Sequence, residues 1–146
     1  MLTLIAFVYS ISIYIPSKSQ YLWIGMSQEP HGGPYFIASD MNLSKNPNYP
    51  VDLIFTDKKT KRTLCIEKNS TLLVASTNCS QSNYLFRAVR HLSGKFFLMQ
   101  NEKCLQFFER QNAFYLRTCA SNPDQLFEFL NKTPEYFSRQ EFDSEE

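Results

Sequence analysis

Short apolar runs with polar turns between them make up most of the chain. One five-residue pattern has three apolar residues, a variable position and a hydroxyl residue. It occurs as YFIAS (35–39), LLVAS (72–76) and FYLRT (114–118). A second element with adjacent large apolar residues follows each copy, as DLIFT (52–56), YLFRA (84–88) and QLFEF (125–129). Similar segments at intervals of about 40 residues indicate three structural repeats.

The second and third repeats each have the pattern of a β-hairpin. In the third, KCLQFF (103–108) and AFYLRTC (113–119) flank the polar turn ERQN. In the second, TLCIE (63–67) and TLLVAS (71–76) flank a polar turn at residues 68–70. No segment before residue 131 repeats apolar residues with a helical period. Because a unit of about 40 residues cannot bury its apolar face alone, we predict an all-β fold, a β-trefoil of three repeated four-stranded units.

The start of the chain differs from the rest, because Leu2 to Ile15 are apolar apart from one Thr and two Ser. The run is shorter than the roughly 20 residues of a membrane span. It fits the apolar centre of a secretory signal that Pro16 ends, with cleavage before Gln20. We therefore predict a signal peptide over residues 1–19 and a secreted, extracellular protein. No Lys or Arg precedes the run, and isoleucines alternate with other residues over 11–15, so a buried first strand is the alternative.

Length and charge bound the remaining organisation. The 146 residues suit one domain, which we place at residues 20–131, followed by an acidic C-terminal tail at residues 132–146. The net charge of +1 arises from 15 basic and 14 acidic residues, which provides no strong field for attracting nucleic acid. We therefore predict no nucleic-acid partner.

The four cysteines form two pairs with nearly equal spacing, Cys65 with Cys79 and Cys104 with Cys119. Each pair flanks a predicted hairpin, so its members lie near enough for a disulfide. In an oxidising compartment this pattern predicts two local disulfides, each adding about 3 kcal/mol of stability. Four buried free thiols in a cytosolic protein are the alternative. The chain has no C-x-x-C motif and two histidines, so we expect no metal site and no cofactor.

The repeats resemble the ricin B-type lectin family, whose motif runs Cys-Leu-Asp, a hairpin, a second Cys, a polar loop and Gln-x-Trp. The corresponding segments are CIE (65–67) and YLF (84–86) in the second unit, CLQ (104–106) and QLF (125–127) in the third, and LWI (22–24) and LIF (53–55) in the first. Phe replaces the Trp of the motif in every unit. The resemblance covers about residues 20–131 and implies a divergent, carbohydrate-binding β-trefoil.

The resemblance also implies where a sugar binds. In the family an Asp after the first Cys accepts hydrogen bonds from sugar hydroxyls, an aromatic ring before the second Cys stacks on the sugar, and an Asn or Asp beside the Gln completes the pocket. The matching positions here are Glu67 and Gln106 for the Asp, Ala38, Ala75 and Arg117 for the ring, and Asn83, Asp124 and Gln125 for the last element. The third unit keeps the most polar groups, so we expect the sugar there, with Gln125 mainly holding the hairpin.

One basic cluster, DKKTKR (57–62), is a second candidate site. Its cations are Lys58, Lys59, Lys61 and Arg62. A dense group of cations attracts anionic groups, so the cluster predicts contact with a sulfated glycan. A solvated link between the first and second units is the alternative.

Catalytic constellations are absent from the sequence pattern. The two histidines and the paired cysteines have no partners for nucleophilic catalysis, and the carboxylates show no acid–base spacing. We therefore expect a binding protein and not an enzyme, with a glycan or glycoprotein as partner. The alternative is a β-trefoil protein ligand or inhibitor that binds a protein partner through its loops.

Overall fold

A computed structural model describes residues 9–46, 51–80 and 82–131 of the chain. These residues form twelve β-strands and two short 3-10 helices, at Tyr35–Ile37 and Pro123–Gln125. The strands are β1 (Tyr9–Ile15), β2 (Gln20–Trp23), β3 (His31–Gly33), β4 (Met41–Lys45), β5 (Asp52–Asp57), β6 (Thr63–Ile66), β7 (Leu73–Ser76), β8 (Phe86–Arg90), β9 (Phe96–Gln100), β10 (Lys103–Phe108), β11 (Ala113–Arg117) and β12 (Glu128–Asn131). Strands β1–β4, β5–β8 and β9–β12 are units one, two and three.

The first and fourth strands of the three units form a closed six-stranded barrel. Antiparallel pairing links β1 to β4, β4 to β5, β5 to β8 and β8 to β9, and β12 pairs with β1. A bridge between Phe96 and Phe127 completes the ring. The remaining strands form three hairpins, β2–β3, β6–β7 and β10–β11. This threefold arrangement confirms the predicted β-trefoil.

Equivalent strands contribute equivalent side chains to a single core. Each of the following is at most 2% exposed: Ile13, Phe55 and Leu98 on the first strands, Leu22, Leu64 and Leu105 on the hairpins, and Met41, Phe86 and Phe127 at the fourth strands. No single unit has a second face to cover these residues, so their burial requires all three units together.

Unit one lies one strand earlier in the sequence than the repeat pattern indicated. The segment YFIAS has the same pattern as LLVAS and FYLRT, which lie mostly in strands β7 and β11, but residues 35–37 form a 3-10 helix without buried residues. The third strand of this unit is β3, and DLIFT belongs to β5, the first strand of unit two. The fourth strand, β4, lies between YFIAS and DLIFT, in a stretch that matches neither repeated element. Because β3 has the sequence HGG, the apolar pattern could not reveal it.

The barrel begins before residue 20. Strand β1 pairs with β2, β4 and β12, and Ile11, Ile13 and Ile15 are 6%, 1% and 0% exposed. Cleavage before Gln20 would remove this strand. The predicted domain boundary at residue 20 therefore does not fit the structure, whereas the buried first strand does. Residues 1–8 and the predicted acidic tail, 132–146, lie outside the described residues. Within the described part of the chain, no helix is long and apolar enough to cross a membrane.

Both predicted disulfides are present. Cys65 in β6 bonds to Cys79, with 6.1 Å between their Cα atoms, and Cys104 in β10 bonds to Cys119, with 4.9 Å. Each bond fastens one hairpin to the loop that leads to the fourth strand of the same unit. The alternative of four free thiols is therefore excluded.

Candidate functional site

Two of the predicted site residues in unit three bind each other. Gln125 is 1% exposed, and its Nε2 donates to Gln106 Oε1 at 3.1 Å and to the Thr118 carbonyl at 3.0 Å. Its Oε1 accepts a hydrogen bond from the Ala120 N–H at 2.9 Å. These bonds join the β10–β11 hairpin to the loop that precedes β12, so Gln125 has the geometry of a structural residue.

Asp124 contacts unit one, although its place beside Gln125 assigned it to sugar binding. Its Oδ1 accepts a hydrogen bond from Ser17 Oγ at 2.6 Å. The Lys18 ammonium lies 4.0 Å from the same oxygen and 3.5 Å from Glu109 Oε1. The turn between β1 and β2 therefore lies against this carboxylate. No local pattern could indicate this contact, because 107 residues separate Ser17 from Asp124.

Arg117, at the end of β11, stacks on a neighbouring ring. Its guanidinium carbon lies 5.4 Å from the centroid of the Phe108 ring. Exposed cation–π contacts contribute about 0.5–1 kcal/mol, which is enough to bias the side-chain conformation. A ligand that stacks on the guanidinium has to share it with Phe108.

Glu67 and Asn83 of unit two line the same two adjoining open pockets, with volumes of about 240 and 210 Å³. We call this pair of pockets the Glu67 groove. Its walls are rich in amides, hydroxyls and ammonium groups, from Asn69, Ser70, Thr71, Asn101 and Lys103 on one side and Gln28, Lys68, Ser76, Asn78 and Ser80 on the other. The structure thus brings together the two candidate residues of unit two.

The backbone around the Glu67 groove is held by hydrogen bonds. Glu67 closes the β6–β7 turn, since its N–H donates to the Leu72 carbonyl at 2.9 Å and its carbonyl accepts from the Ser70 N–H at 3.1 Å. The Asn83 carbonyl accepts from the Ile66 N–H at 3.0 Å and from Gln100 Nε2 at 2.9 Å. Both candidate residues therefore stand on fixed backbone while Glu67 remains exposed.

The two Cys motifs are not equivalent in register. Leu64 pairs with Ala75 and Leu105 with Leu116, and the N–H groups of these two partners both donate to the turn of the preceding hairpin. Cys104 stands one residue before Leu105, whereas Cys65 stands one residue after Leu64. Gln106 therefore lies within a strand and Glu67 in a hairpin turn, although the motifs suggested matching positions.

The basic cluster is partly committed to the fold. Lys58 Nζ donates to Ser10 Oγ at 3.0 Å and lies 3.4 Å from Asp40 Oδ2. The Arg62 guanidinium donates to the backbone carbonyls of Gly25 and, at 2.9 Å, Ser27. Lys59 and Lys61 are exposed. Two of the four predicted cations therefore hold loops together.

An aromatic surface on unit one was missed by the sequence reasoning. Tyr21 lies between Tyr14, 4.7 Å away, and Tyr35, 5.2 Å away, measured between ring centroids. Burial raises the pKa of Tyr21, and Tyr14, Tyr35 and Glu128 raise it further. Trp23 lies beside His31 on the same hairpin, with 5.2 Å between the ring centroids. One sequence feature could have indicated this surface: the single tryptophan of the chain lies close in sequence to three of the four glycines.

A metal-binding grouping is not seen in the described part of the chain. Within residues 9–46, 51–80 and 82–131, no three His, Cys, Asp or Glu side chains are grouped closely enough to hold a metal ion. The two histidines contact a backbone carbonyl and a serine, respectively: His31 Nδ1 lies 2.8 Å from the Asn112 carbonyl and His91 Nδ1 2.9 Å from Ser93 Oγ.

No protein-family model matches the chain, and no curated protein matches its sequence. Solved structures do match its fold. A mosquitocidal holotoxin aligns with 90% of this chain and 18% of its own, at 10% identity and a TM-score of 0.77. A GlcNAcα1-4Gal-releasing endo-β-galactosidase from Clostridium perfringens aligns with 84% and 32%, at 8% identity and a TM-score of 0.72.

A third match is to a whole protein. The designed threefold-symmetric protein ThreeFoil aligns with 83% of this chain and 97% of its own, at 11% identity and a TM-score of 0.71. The chain spans about a third of the galactosidase and less than a fifth of the toxin. At these identities the likeness concerns the fold alone, and it agrees with the threefold barrel: the chain is a β-trefoil protein.

Proposed function

We propose that this protein is a divergent ricin B-type lectin that binds a glycan in the Glu67 groove and has no enzymatic activity. One observation carries the proposal: Glu67 and Asn83, both assigned to sugar binding from the sequence, line the same two pockets. A sugar presents many hydroxyl groups. The Glu67 carboxylate accepts hydrogen bonds from them, while the Asn amides and the Lys103 ammonium donate.

The second unit is better suited to this role than the third. In unit three Gln106 and Gln125 bond to each other and Asp124 to Ser17, so a ligand must displace existing contacts there. In unit two the carboxylate of Glu67 is exposed at the groove. Because the groove is open and shallow, we expect weak binding, with a Kd of about 1 mM, or about −4 kcal/mol.

The structural neighbours suggest which sugars to test first. The galactosidase releases a disaccharide of N-acetylglucosamine and galactose. We therefore use N-acetylglucosamine and methyl β-galactoside as probes, alongside a glycan array. Saturation-transfer NMR detects binding near the millimolar range.

The variants Glu67→Ala and Asn83→Ala test the location of the site. Glu67→Ala should weaken sugar binding about tenfold or more and Asn83→Ala about two- to tenfold, because each removes a hydrogen-bonding partner at the groove and that of Glu67 is charged. Glu109→Ala is the matched control, since Glu109 is an exposed carboxylate in the β10–β11 turn, outside the groove. Loss of binding in Gln106→Ala with normal binding in Glu67→Ala would assign the site to unit three. An absence of glycan binding in the unmodified protein would refute the function itself.

A protein ligand or inhibitor is the second candidate function. It is favoured by large apolar side chains that are exposed on the loops of unit one, where Met26 is 102% and Phe36 82% exposed. A partner protein that binds these loops would bury both side chains. Crosslinking through a photoreactive residue at position 36 would identify a protein partner, and silence on the glycan array together with a crosslinked partner would favour this function.

Secretion and binding of sulfated glycans belong to the same proposal. Two disulfides are typical of proteins that mature in an oxidising compartment. Lys59 and Lys61 remain exposed for an anionic chain. If Lys59 and Lys61 bind a sulfated glycan, the variant Lys59→Ala/Lys61→Ala should be retained less on a heparin column than the unmodified protein. Retention of the unmodified protein should vanish at about 0.5 M salt, because salt screens exposed charges. Salt-independent binding would instead assign the glycan to the Glu67 groove.

A further inference from the structure

Trp23 rests on two glycines of its own hairpin region. A Cβ atom on Gly25 would lie 2.5 Å from Cζ3 of the indole, and one on Gly33 would lie 2.8 Å from Nε1. Both distances are far inside van der Waals contact, so the ring is in contact with the backbone at both positions. Trp23 Nε1 also donates to the Gly32 carbonyl at 3.2 Å. The indole is therefore held against the hairpin at both ends.

The indole is only partly buried, so it presents apolar aromatic surface to solvent. Ile37, 39% exposed, borders it, since the Ile37 Cδ1 atom lies 2.8 Å from the same Cβ position on Gly33. A flat, fixed aromatic ring loses little conformational entropy when a ligand stacks on it. The C–H face of a pyranose ring is a ligand of matching shape and polarity.

His31 supplies a polar group with a defined role beside the indole. Its Nδ1 lies 2.8 Å from the Asn112 carbonyl, which can only accept a hydrogen bond. Nδ1 therefore carries the proton, and in the neutral ring Nε2 is an acceptor. Nε2 lies 3.5 Å from the exposed Ser27 hydroxyl. An acceptor and a hydroxyl thus stand together next to an aromatic ring, which suits a sugar hydroxyl pair.

We propose that Trp23, His31 and Ser27 form a second glycan-binding site, on unit one, that stacks a pyranose ring on the indole. His31 Nε2 and the Ser27 hydroxyl bind the hydroxyl groups of that sugar. This inference rests on the proposed function, because it assigns the same ligand class to another unit. It makes the protein bivalent, and two weak sites on one chain raise the avidity for a branched or clustered glycan.

Because the chain has a single tryptophan, its fluorescence reports on this site separately from the Glu67 groove. In a titration with N-acetylglucosamine and methyl β-galactoside, at least one sugar should shift the indole emission and protect it from acrylamide quenching. Glu67→Ala should leave this signal unchanged, because the Glu67 groove is a separate site. Ser27→Ala should weaken the binding that the indole reports by up to tenfold, and Trp23→Leu should remove one of two binding phases in saturation-transfer NMR.

The outcomes separate this site from the proposed function. Sugar binding by NMR with an unchanged indole signal would overturn the unit-one site and leave the lectin function intact. An indole signal that disappears in Glu67→Ala would also overturn it, because the two sites would not be independent. No sugar binding by either method would overturn the lectin function and this site together. Circular dichroism of each variant establishes that it is folded.

Discussion

Three buried polar side chains, those of Gln125, Gln100 and Asp57, fasten loops to the barrel. Gln125 joins the β10–β11 hairpin to the loop before β12. Gln100, 7% exposed, donates to the carbonyls of Asn83 and Leu85 at 2.9 and 3.2 Å. Asp57, 2% exposed, accepts from the Thr60 N–H at 3.0 Å. Buried polar atoms require such partners because their desolvation is otherwise uncompensated.

At this scale we expect Gln125→Ala to destabilise the fold more than Gln106→Ala. Gln125→Ala removes three hydrogen bonds and leaves the Ala120 N–H and Thr118 carbonyl without them, which should cost about 1–3 kcal/mol. Gln106→Ala leaves the Gln125 amide bonded to Thr118 and should cost less than about 1 kcal/mol. Urea unfolding of both variants measures the difference. Equal unfolding midpoints for the two variants would contradict this, because the bonds of Gln125 to Ala120 and Thr118 would then add no stability to its bond with Gln106.

We expect the Tyr21 hydroxyl to make the free energy of unfolding depend on pH in the alkaline range. Burial raises its pKa, and the neighbouring Tyr14, Tyr35 and Glu128 add to the shift. Its favourable contribution is complete below the pKa of an unfolded tyrosine, about 10, and is lost as the pH rises through the higher folded value. Stability should therefore fall more steeply above about pH 10 in the unmodified protein than in Tyr21→Phe. Tyr115→Phe, outside this cluster, is the control; an identical slope in Tyr21→Phe would refute the assignment.

At the scale of elements, the three hairpins are variations on one arrangement. Tyr21 stands opposite Gly33, just as Cys104 stands opposite Arg117. Tyr35 follows Gly33 at the same distance along the chain as Cys119 follows Arg117. The Tyr21–Tyr35 ring contact, 5.2 Å between centroids, therefore takes the place that a disulfide has in unit three. Unit one fastens its hairpin by aromatic packing.

This equivalence predicts an engineered third disulfide. Tyr21→Cys/Tyr35→Cys should form a bond upon oxidation, because the two positions correspond to Cys104 and Cys119 in hairpin register and their rings are already in contact. Peptide mapping without reductant should detect the link, and a thiol assay should find no free thiol. A double variant that keeps two free thiols under oxidation would show that the loop before the 3-10 helix follows a different path. Tyr21→Ser/Tyr35→Ser is the control for the lost ring contact.

For the molecule as a whole, stability depends on closing the barrel. Strand β1 pairs with both β12 and β4 and so joins unit three to unit one. Its loss would open the barrel and expose core residues of every unit. Ser17 and Lys18 also hold Asp124 and Glu109 of unit three, which strengthens the same connection.

We therefore expect a chain that lacks residues 1–19 not to fold. Truncating one buried Ile to Ala typically costs 2–5 kcal/mol, roughly, and β1 contains three, against a total stability of about 5–15 kcal/mol. Circular dichroism and thermal unfolding of the truncated chain test this directly. Ile13→Ala should lower the midpoint, whereas Tyr14→Phe, on the same strand, should change it little. A truncated chain that unfolds cooperatively would restore the boundary at residue 20.

The sequence predicted Glu67 and Asn83 as residues of the candidate site. It did not predict how the strand register of unit two differs from that of unit three. The motif match aligned Cys65 with Cys104, whereas the strand register offsets them. Register is set by pairing between distant strands and by core contacts, which a local motif does not record. A local motif likewise does not reveal the aromatic surface of unit one. The indole of Trp23 packs against glycines, and it fits there because these residues have no side chain.

The sequence by itself determined the all-β class, the matching patterns of units two and three, and both disulfides. These follow from local apolar alternation and from cysteines that flank a hairpin. Only the tertiary structure decided that Tyr9–Ile15 supply a barrel strand, that HGG is a strand, and which carboxylates remain exposed to a ligand. An apolar run fits a signal peptide and a buried strand equally well. The choice depends on whether distant strands offer it backbone partners and a core, as β4 and β12 do here.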